Sequence, residues 1–440
     1  MRPAGGGKGG NWDANPESPT ASGVHPRPAV KWTAPNANPP GVPPVPDPIS
    51  RRDVLAAGSL AAGAALLAAG PAAAADVADR LTGLKIKSLK AHIIGPKVYI
   101  RIETNGGPTG WGEVTGTEPK VASVLAESLF ELLDGENPTR TEHLWQKMYR
   151  SHRDMRGGSI FVNTLSGIDM ALWDIAGKVW NVPVYRLLGG AVRESIRLYP
   201  TAKAHKVGTG GPHQFSGTPA AVDNLVKMVE DTRKRLGPDG AVMFDAHCSM
   251  PVPFLLQFAS RVQPYQLLFL EEPVVPGNID AFIRVKQHIG IPIATGERDR
   301  TIWEVLPYLE NRAIDILQPD CGHTGGLTSM KKIAALCEAY YTPIAPHCTC
   351  SELGLSASFH VTATVPLFLI HEAYLDGHIM PKGVARPSFE IDKDGNATLP
   401  QGPGLGVEID EEMMQKVAAD PKRKYKWPVP KLPDGSVCDY

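Results

Sequence analysis

The chain has 440 residues, a hydrophobic content of 42% and a formal charge of -1. Near-neutrality without a basic stripe argues against a nucleic-acid-binding protein, and the length fits two or three domains or one large barrel with additions. Six cysteines, at 248, 321, 337, 348, 350 and 438, lack zinc-finger spacing and imply no disulfide framework; Cys348-Thr-Cys350 reads as two core or site-lining thiols.

Residues 1–49 are dominated by Gly, Pro, Asn and Ala and form a low-complexity leader. At 50–75, Arg51-Arg52 precedes a soft, Ala-rich run that ends in the cleavage-like Ala73-Ala74-Ala75. This resembles a twin-arginine export signal. The run is short for a membrane span and Pro71 interrupts it. The expected location is therefore periplasmic or secreted, with the mature chain starting near Asp76 and no stable membrane insertion.

From Leu84 an alternating pattern with Gly/Pro/Asn turns predicts antiparallel strands. Between Pro119 and Tyr149 the period becomes helical, with Val121, Val124, Leu125, Leu129 and Leu132-Leu133 expected on one side. A second helix is predicted in "FVNTLSGIDMALWDIAGKVW", with Ile168, Ala171, Leu172 and Ile175 in its stripe. Residues 82–190 thus form an α+β domain. After Gly190 strands and helices alternate. Strand candidates are 196–200, 241–245, 267–271, 291–295, 314–318, 342–346 and 367–371, and helices are predicted at 219–236 and 326–340. Short apolar strands in βα repeats point to a (β/α) barrel over 191–372, or to a doubly wound sheet. Residues 373–440 remain as a C-terminal segment.

Charged groups recur at the strand ends. Asp245 is followed by Glu271 and Glu297 at steps of 26, then by Asp320, His347 and Glu372 at steps of 23, 27 and 25. Each step is about one βα unit, and in a barrel all these ends face one mouth. Asp245 and His247, two apart, are expected on one face of their strand. Asp245, Glu271 and Glu297 would repel one another in one mouth; a hard divalent cation, Mg²⁺, relieves this with oxygen ligands. "FLEEPV" offers Glu271 or Glu272, and an alternation that turns Phe269 outward and Glu271 inward selects Glu271. His347 with Asp320 beside it suggests a general base. His247, across the ring, could supply a proton while His347 takes one.

The ring, together with "TLSGIDMALWDIAGK", "PVYRLLGG", "FLEEPV", "ATGER", "QPD…GG" and "APHC", resembles the enolase superfamily, mandelate racemase/muconate lactonizing enzyme branch, and within it the galactonate dehydratases. The resemblance covers roughly residues 84 to 440. It implies an α/β fold: a modified TIM (β/α)7β-type barrel under an α+β capping domain that the C-terminal segment completes. It further implies Mg²⁺ on Asp245, Glu271 and Glu297. His347, supported by Asp320, would abstract the proton α to a carboxylate, and His247 would protonate the departing 3-hydroxyl, giving a 2-keto-3-deoxy acid from a sugar acid. Glu372 would bind the substrate carboxylate or enediolate. Cap loops 105–118 and 150–158 would choose the substrate, with Arg156 a candidate contact. A homo-oligomer is implied as well.

One departure stands out. Residues 202–219, "AKAHKVGTGGPHQFSGTP", are polar and Gly-rich, and no strand is predicted there. The barrel is expected to be shortened by about one βα unit and to lack the family's second-strand lysine, with Lys203, His205 and His213 read as loop residues. The alternatives to an aldonate dehydratase are a racemase or epimerase of a related acid sugar, and an inactive exported sugar-acid binding protein.

Overall fold

The computed structural model of the protein describes residues 83–209, 218–374 and 383–420, together with 426, 429, 431 and 435–437. The chain divides into two units, Met1–Val77 and Ala78–Tyr440, and all described residues belong to the second. The expected leader (1–49) and export signal (50–75), His213 and Cys438 lie outside the described residues. No helix among the described residues is long and apolar enough to cross a membrane.

β1 (Ile86–Ile94), β2 (Lys97–Thr104) and β3 (Gly110–Val114) form an antiparallel sheet. Alternation along β2 turns Val98, Ile100 and Ile102 toward three helices, α1 (Pro119–Leu129), α2 (Thr141–Ser151) and α3 (Ser159–Trp180). β3 lies directly on α3. A Cβ on Gly112 would stand 1.9 Å from the Gly167 carbonyl oxygen, and one on Gly110 would stand 2.1 Å from that of Ala171. Only glycine permits that approach. The expected stripe of α1 needs correction: its buried side is Ala122, Ala126 and Leu129, while Val121 and Val124 face solvent. Small alanines let the helix sit close to the sheet, so the larger valines are not the core residues.

After the short α4 (Val184–Leu187) the barrel begins. Its strands are β4 (Ser195–Tyr199), β5 (Ala204–Gly208), β6 (Ala241–Asp245), β7 (Phe269–Glu271), β8 (Ile293–Thr295) and β9 (Ile316–Leu317). Parallel pairing runs from β5 through β9 to bridges at Ile344 and Phe368, and β10 (His371–Glu372) returns to pair in parallel with β4. Every strand position contributes to one interior cluster, which holds Tyr199, Ala204, Ala241, Met243, Phe269, Ala294, Ile316, Ala345 and Ile370. Residues of opposite parity, among them Val242, Phe244, Leu270, Ile293 and Leu317, point outward into the core beneath the helices. Those helices are α5 (Pro219–Leu236), α6 (Val252–Val262), α7 (Ile279–His288), α8 (Thr301–Glu310), α9 (Gly326–Ala339) and α10 (Glu352–Thr362).

The second strand is therefore present, contrary to the sequence-based expectation. Ala204-His-Lys-Val-Gly208 pairs in parallel with β6 over its whole length. What the chain has dropped is the first crossover helix: β4 and β5 are joined by residues 200–203 alone. A five-residue strand with two polar side chains, His205 and Lys206, and a terminal Gly carries too little apolar signal to be read, although its partners bury it. Lys203 belongs to the turn, in an exposed ion pair with Asp394.

The C-terminal segment contributes β11 (Ala385–Pro387), β12 (Asn396–Thr398), β13 (Val407–Ile409) and α11 (Glu411–Ala419). β12 pairs antiparallel with β4, and Glu411 of α11 accepts a hydrogen bond from Arg101 of β2 at 3.2 Å.

Candidate active site

The C-terminal ends of the barrel strands bring six expected groups into one buried ring, and a seventh was not foreseen. Lys206 of β5 places its ammonium 3.2 Å from Asp245 Oδ2, 2.8 Å from Glu271 Oε1 and 2.9 Å from Glu372 Oε1. Strand alternation explains its inward direction: Ala204 faces the interior, and so does the residue two along. His205 therefore falls on the opposite face. Three carboxylates around one ammonium outweigh the desolvation of its charge, so the Lys206 pKa is raised well above the ordinary lysine value.

Glu271 points into the ring, as expected, but Phe269 points inward with it. Residues two apart share a face, so the alternation argument held for Glu271 and failed for Phe269. Glu272 leaves the strand at φ 42° and turns its carboxylate to Arg298, 2.6 Å away. Burial and the neighbouring Asp245 push the Glu271 pKa well above the carboxylate range. For Asp245 burial is overcome by Lys206 and His247, and its pKa is lowered.

His247 is not placed by alternation. β6 ends at Asp245, and His247 and Cys248 adopt left-handed conformations with φ 45° and 55°. This folds the residue back on Asp245. Its backbone N–H donates to Oδ1 at 2.8 Å, and its ring Nε2 lies 2.9 Å from Oδ2. Burial opposes protonation of the ring, yet the Asp245 hydrogen bond and charge prevail and its pKa is raised. Non-glycine residues in this region are uncommon and cluster where function requires the geometry.

On the far side, four strand positions from β6, His347 Nδ1 donates to Asp320 Oδ2 at 2.6 Å. That bond leaves Nε2 directed at Glu297 Oε2 and Glu372 Oε2, each 3.6 Å away. Burial works against a charged ring, but Glu297, Glu372 and the Asp320 hydrogen bond outweigh it, and the His347 pKa stands well above the usual imidazole value. Asp320 is held in turn by the Gly322 N–H at 2.6 Å. His323, also unforeseen, donates from Nδ1 to the Glu297 carbonyl at 2.7 Å. Glu372 ties the two halves together through Lys206, His347 and the Cys348 N–H. Arg156 stands apart: it is exposed, with Nε donating to the Arg153 carbonyl at 3.3 Å.

Two groupings could hold a cation. Asp320, His323 and His347 offer ligand atoms within 4.8 Å of one another. Both oxygens of Asp320 already accept hydrogen bonds, from the Gly322 N–H and from His347 Nδ1, which marks this trio as an orienting chain. Asp245, Glu271 and Glu297 instead supply an all-oxygen set of the kind Mg²⁺ takes. Glu271 Oε2 is buried without a hydrogen-bond partner. An unsatisfied carboxylate oxygen in an anionic ring fits a hard cation.

A (β/α) barrel under an α+β cap, with acids and histidines ringed at its mouth, defines the class. Residues 82–189 match the mandelate racemase/muconate lactonizing enzyme N-terminal domain, and 191–413 match the enolase C-terminal domain-like family. The chain belongs to the mandelate racemase/muconate lactonizing enzyme family of the enolase superfamily. It is 34% identical over 388 residues to a D-galactonate dehydratase of Ralstonia pickettii, covering 81% of this chain and 100% of that protein. Among solved structures, a mandelate racemase/muconate lactonizing enzyme-like protein from Rubrobacter xylanophilus superposes with a TM-score of 0.72 at 30% identity, covering 77% of this chain and 98% of the other. The 3,6-anhydro-D-galactonate cycloisomerase of Zobellia galactanivorans matches with a TM-score of 0.69 at 27% identity, covering 76% and 99%.

Proposed function

We propose that the protein is a Mg²⁺-dependent acid-sugar dehydratase, a hydro-lyase resembling galactonate dehydratase, that converts an aldonate to its 2-keto-3-deoxy acid. The observation that carries this reading is the placement of His347 and His247 on opposite sides of one carboxylate ring. Asp245, Glu271 and Glu297 would hold the metal, which when bound supplies positive charge for the enediolate-like transition state.

The chain's own groups perform the proton transfers. The Asp320 bond holds a proton on Nδ1, so Nε2, the atom that faces the ring, is where His347 gains and loses its second proton. That nitrogen takes the proton from the carbon next to the substrate carboxylate. Glu372, beside His347 Nε2, orients the acid end of the substrate or the enediolate. His247, held on Asp245, donates a proton to the departing 3-hydroxyl, so that hydroxide leaves as water. The resulting enol rearranges to the 2-keto form. Lys206 offsets the negative charge of three ring carboxylates throughout.

Lys206 also motivates a second reading, epimerisation, because its ammonium, which shares Glu372 with His347, could return a proton to the other face of the same carbon. Product analysis separates the two. The dehydratase forms a 2-keto-3-deoxy acid from at least one aldonate in a stereochemical panel, and loses this turnover with EDTA and in His347→Ala. Exchange of the α-proton without loss of water would favour the epimerase. Binding without either reaction would leave a sugar-acid binding protein. We further propose export through the twin-arginine signal at 50–75 and assembly as a homo-oligomer; signal-dependent secretion of a fused reporter and light scattering test these.

A further inference from the structure

His347 and Asp320 stand on loops that follow barrel strands, and loops alone fix geometry poorly. Each of these loops runs within a few residues into a helix, α10 after His347 and α9 after Asp320. Both helix starts are gripped from outside the barrel by a buried carboxylate of the capping domain.

Glu113 of β3 is fully buried. Its carboxylate accepts hydrogen bonds from the Ser351 N–H at 3.0 and 3.1 Å, the Ser351 hydroxyl at 2.5 Å and the Gly354 N–H at 3.2 Å. These are groups of the first turn of α10 and of the residue that caps it, which an isolated helix leaves unsatisfied. Lys97 of β2 completes the grip. Its ammonium lies 3.7 Å from Glu113 and donates to Thr115 Oγ1 at 2.7 Å and to the Thr349 carbonyl, two residues beyond His347.

Asp169 of α3 does the same for α9. It accepts from the Thr328 N–H at 3.0 Å and the Thr328 hydroxyl at 2.6 Å. Ser166 and Trp145, also of the cap, bind the N–H and the carbonyl of Gly325 at 2.9 and 2.7 Å. The close entry of Asp169 explains Gly326, which has φ 76°: a Cβ there would lie 2.3 Å from Asp169 Oδ2.

We propose that Glu113 and Asp169 are positioning residues that pin the starts of α10 and α9 to the cap and so hold the His347–Asp320 pair in register with a substrate under that cap. Neither residue touches the ring. The inference rests on the reading of His347 as the base. It adds that the cap acts on the proton-abstraction step as well as on binding.

A third buried carboxylate provides the control. Asp174, five residues along α3 from Asp169, accepts from the Trp111 and Leu405 N–H groups, each at 2.9 Å, and from Lys178 at 2.7 Å. It ties cap to C-terminal segment and touches neither catalytic loop. The test compares Glu113→Gln, Asp169→Ala and Asp174→Ala in the full chain with Mg²⁺. The readouts are melting temperature, kcat, KM and the rate at which the substrate α-proton exchanges into D2O. For Glu113→Gln and Asp169→Ala, kcat and the exchange rate should fall together by on the order of 10- to 100-fold, the scale of a misplaced reacting group, with KM changed little. Asp174→Ala should lose stability and keep kcat. Glu113→Asp, which retains the charge, should recover part of the loss and serves if Glu113→Gln fails to fold. Equal melting losses in all three variants with kcat per folded molecule unchanged would overturn the proposal. Full activity of His347→Ala would instead overturn the reading of the base and is scored separately.

Discussion

Lys206→Met tests the part of the ring that was least visible in the sequence. The substitution keeps much of the side-chain volume and removes the charge. In the native ring the side chain is 9% exposed and its ammonium contacts Asp245, Glu271 and Glu372 at 3.2, 2.8 and 2.9 Å. Removing one partner of a buried ion pair costs about 3–5 kcal/mol, because the other charge stays buried and uncompensated. An unfolding entropy of about 2.1 cal/mol/K per residue over roughly 360 residues is ~0.76 kcal/mol/K, so a loss of about 4 kcal/mol lowers Tm by ~5 °C. Differential scanning fluorimetry of wild type and variant in EDTA measures this. Repeating the scan with saturating Mg²⁺ should narrow the gap, since a ligand of the folded state stabilises it in proportion to ln(1 + [L]/Kd) and would find its carboxylates free of the competing ammonium. An unchanged Tm in EDTA would refute both the placement of Lys206 and the register of β5 against β6.

Asp320→Asn should lower kcat by on the order of 10²- to 10⁴-fold with KM nearly unchanged, because the amide can set an N–H donor where Nδ1–H of His347 requires an acceptor; steady-state kinetics decide it. EDTA treatment should abolish turnover, and Mg²⁺ should restore it. His360 and His371 are fully buried, and burial lowers each pKa to about 4. The unfolded chain takes up these two protons near pH 6.5 and the folded chain only near 4, so the stability they confer is complete above 6.5 and drains as pH falls toward 4, by about 3 kcal/mol for each. His360→Gln, whose side chain does not titrate, should flatten the fall in urea-unfolding free energy across that window; an unchanged slope would count against the burial of His360.

The sequence made the ring legible because each member ends or closely follows a short apolar strand and the steps match one βα unit. Glu271 is selected over Glu272 by an alternation that sets Phe269 outward, whereas the structure turns both Phe269 and Glu271 inward. The rest depended on information that periodicity does not hold. Lys206 sits in a strand whose apolar content is Ala204 and Val207, so its pairing with β6 supplies the signal that the residues lack. His247 reaches Asp245 through a left-handed turn, which no alternation rule anticipates. In α1 the helical period selects Val121 and Val124 for the buried side, whereas the sheet packs against the small Ala122 and Ala126. The cap carboxylates Glu113 and Asp169 lie far in sequence from the helices they bind, and only the folded chain joins them.

The division of labour between the two histidines is the centre of the account. With the best aldonate of the panel, α-proton exchange in D2O and loss of water are followed in parallel for His347→Gln and His247→Gln. His347→Gln should lose both processes. His247→Gln should still exchange the α-proton while elimination falls by on the order of 10²- to 10⁴-fold, the usual contribution of a general acid. Exchange that persists in His347→Gln, or that disappears in His247→Gln while the protein stays folded, would contradict the assignment.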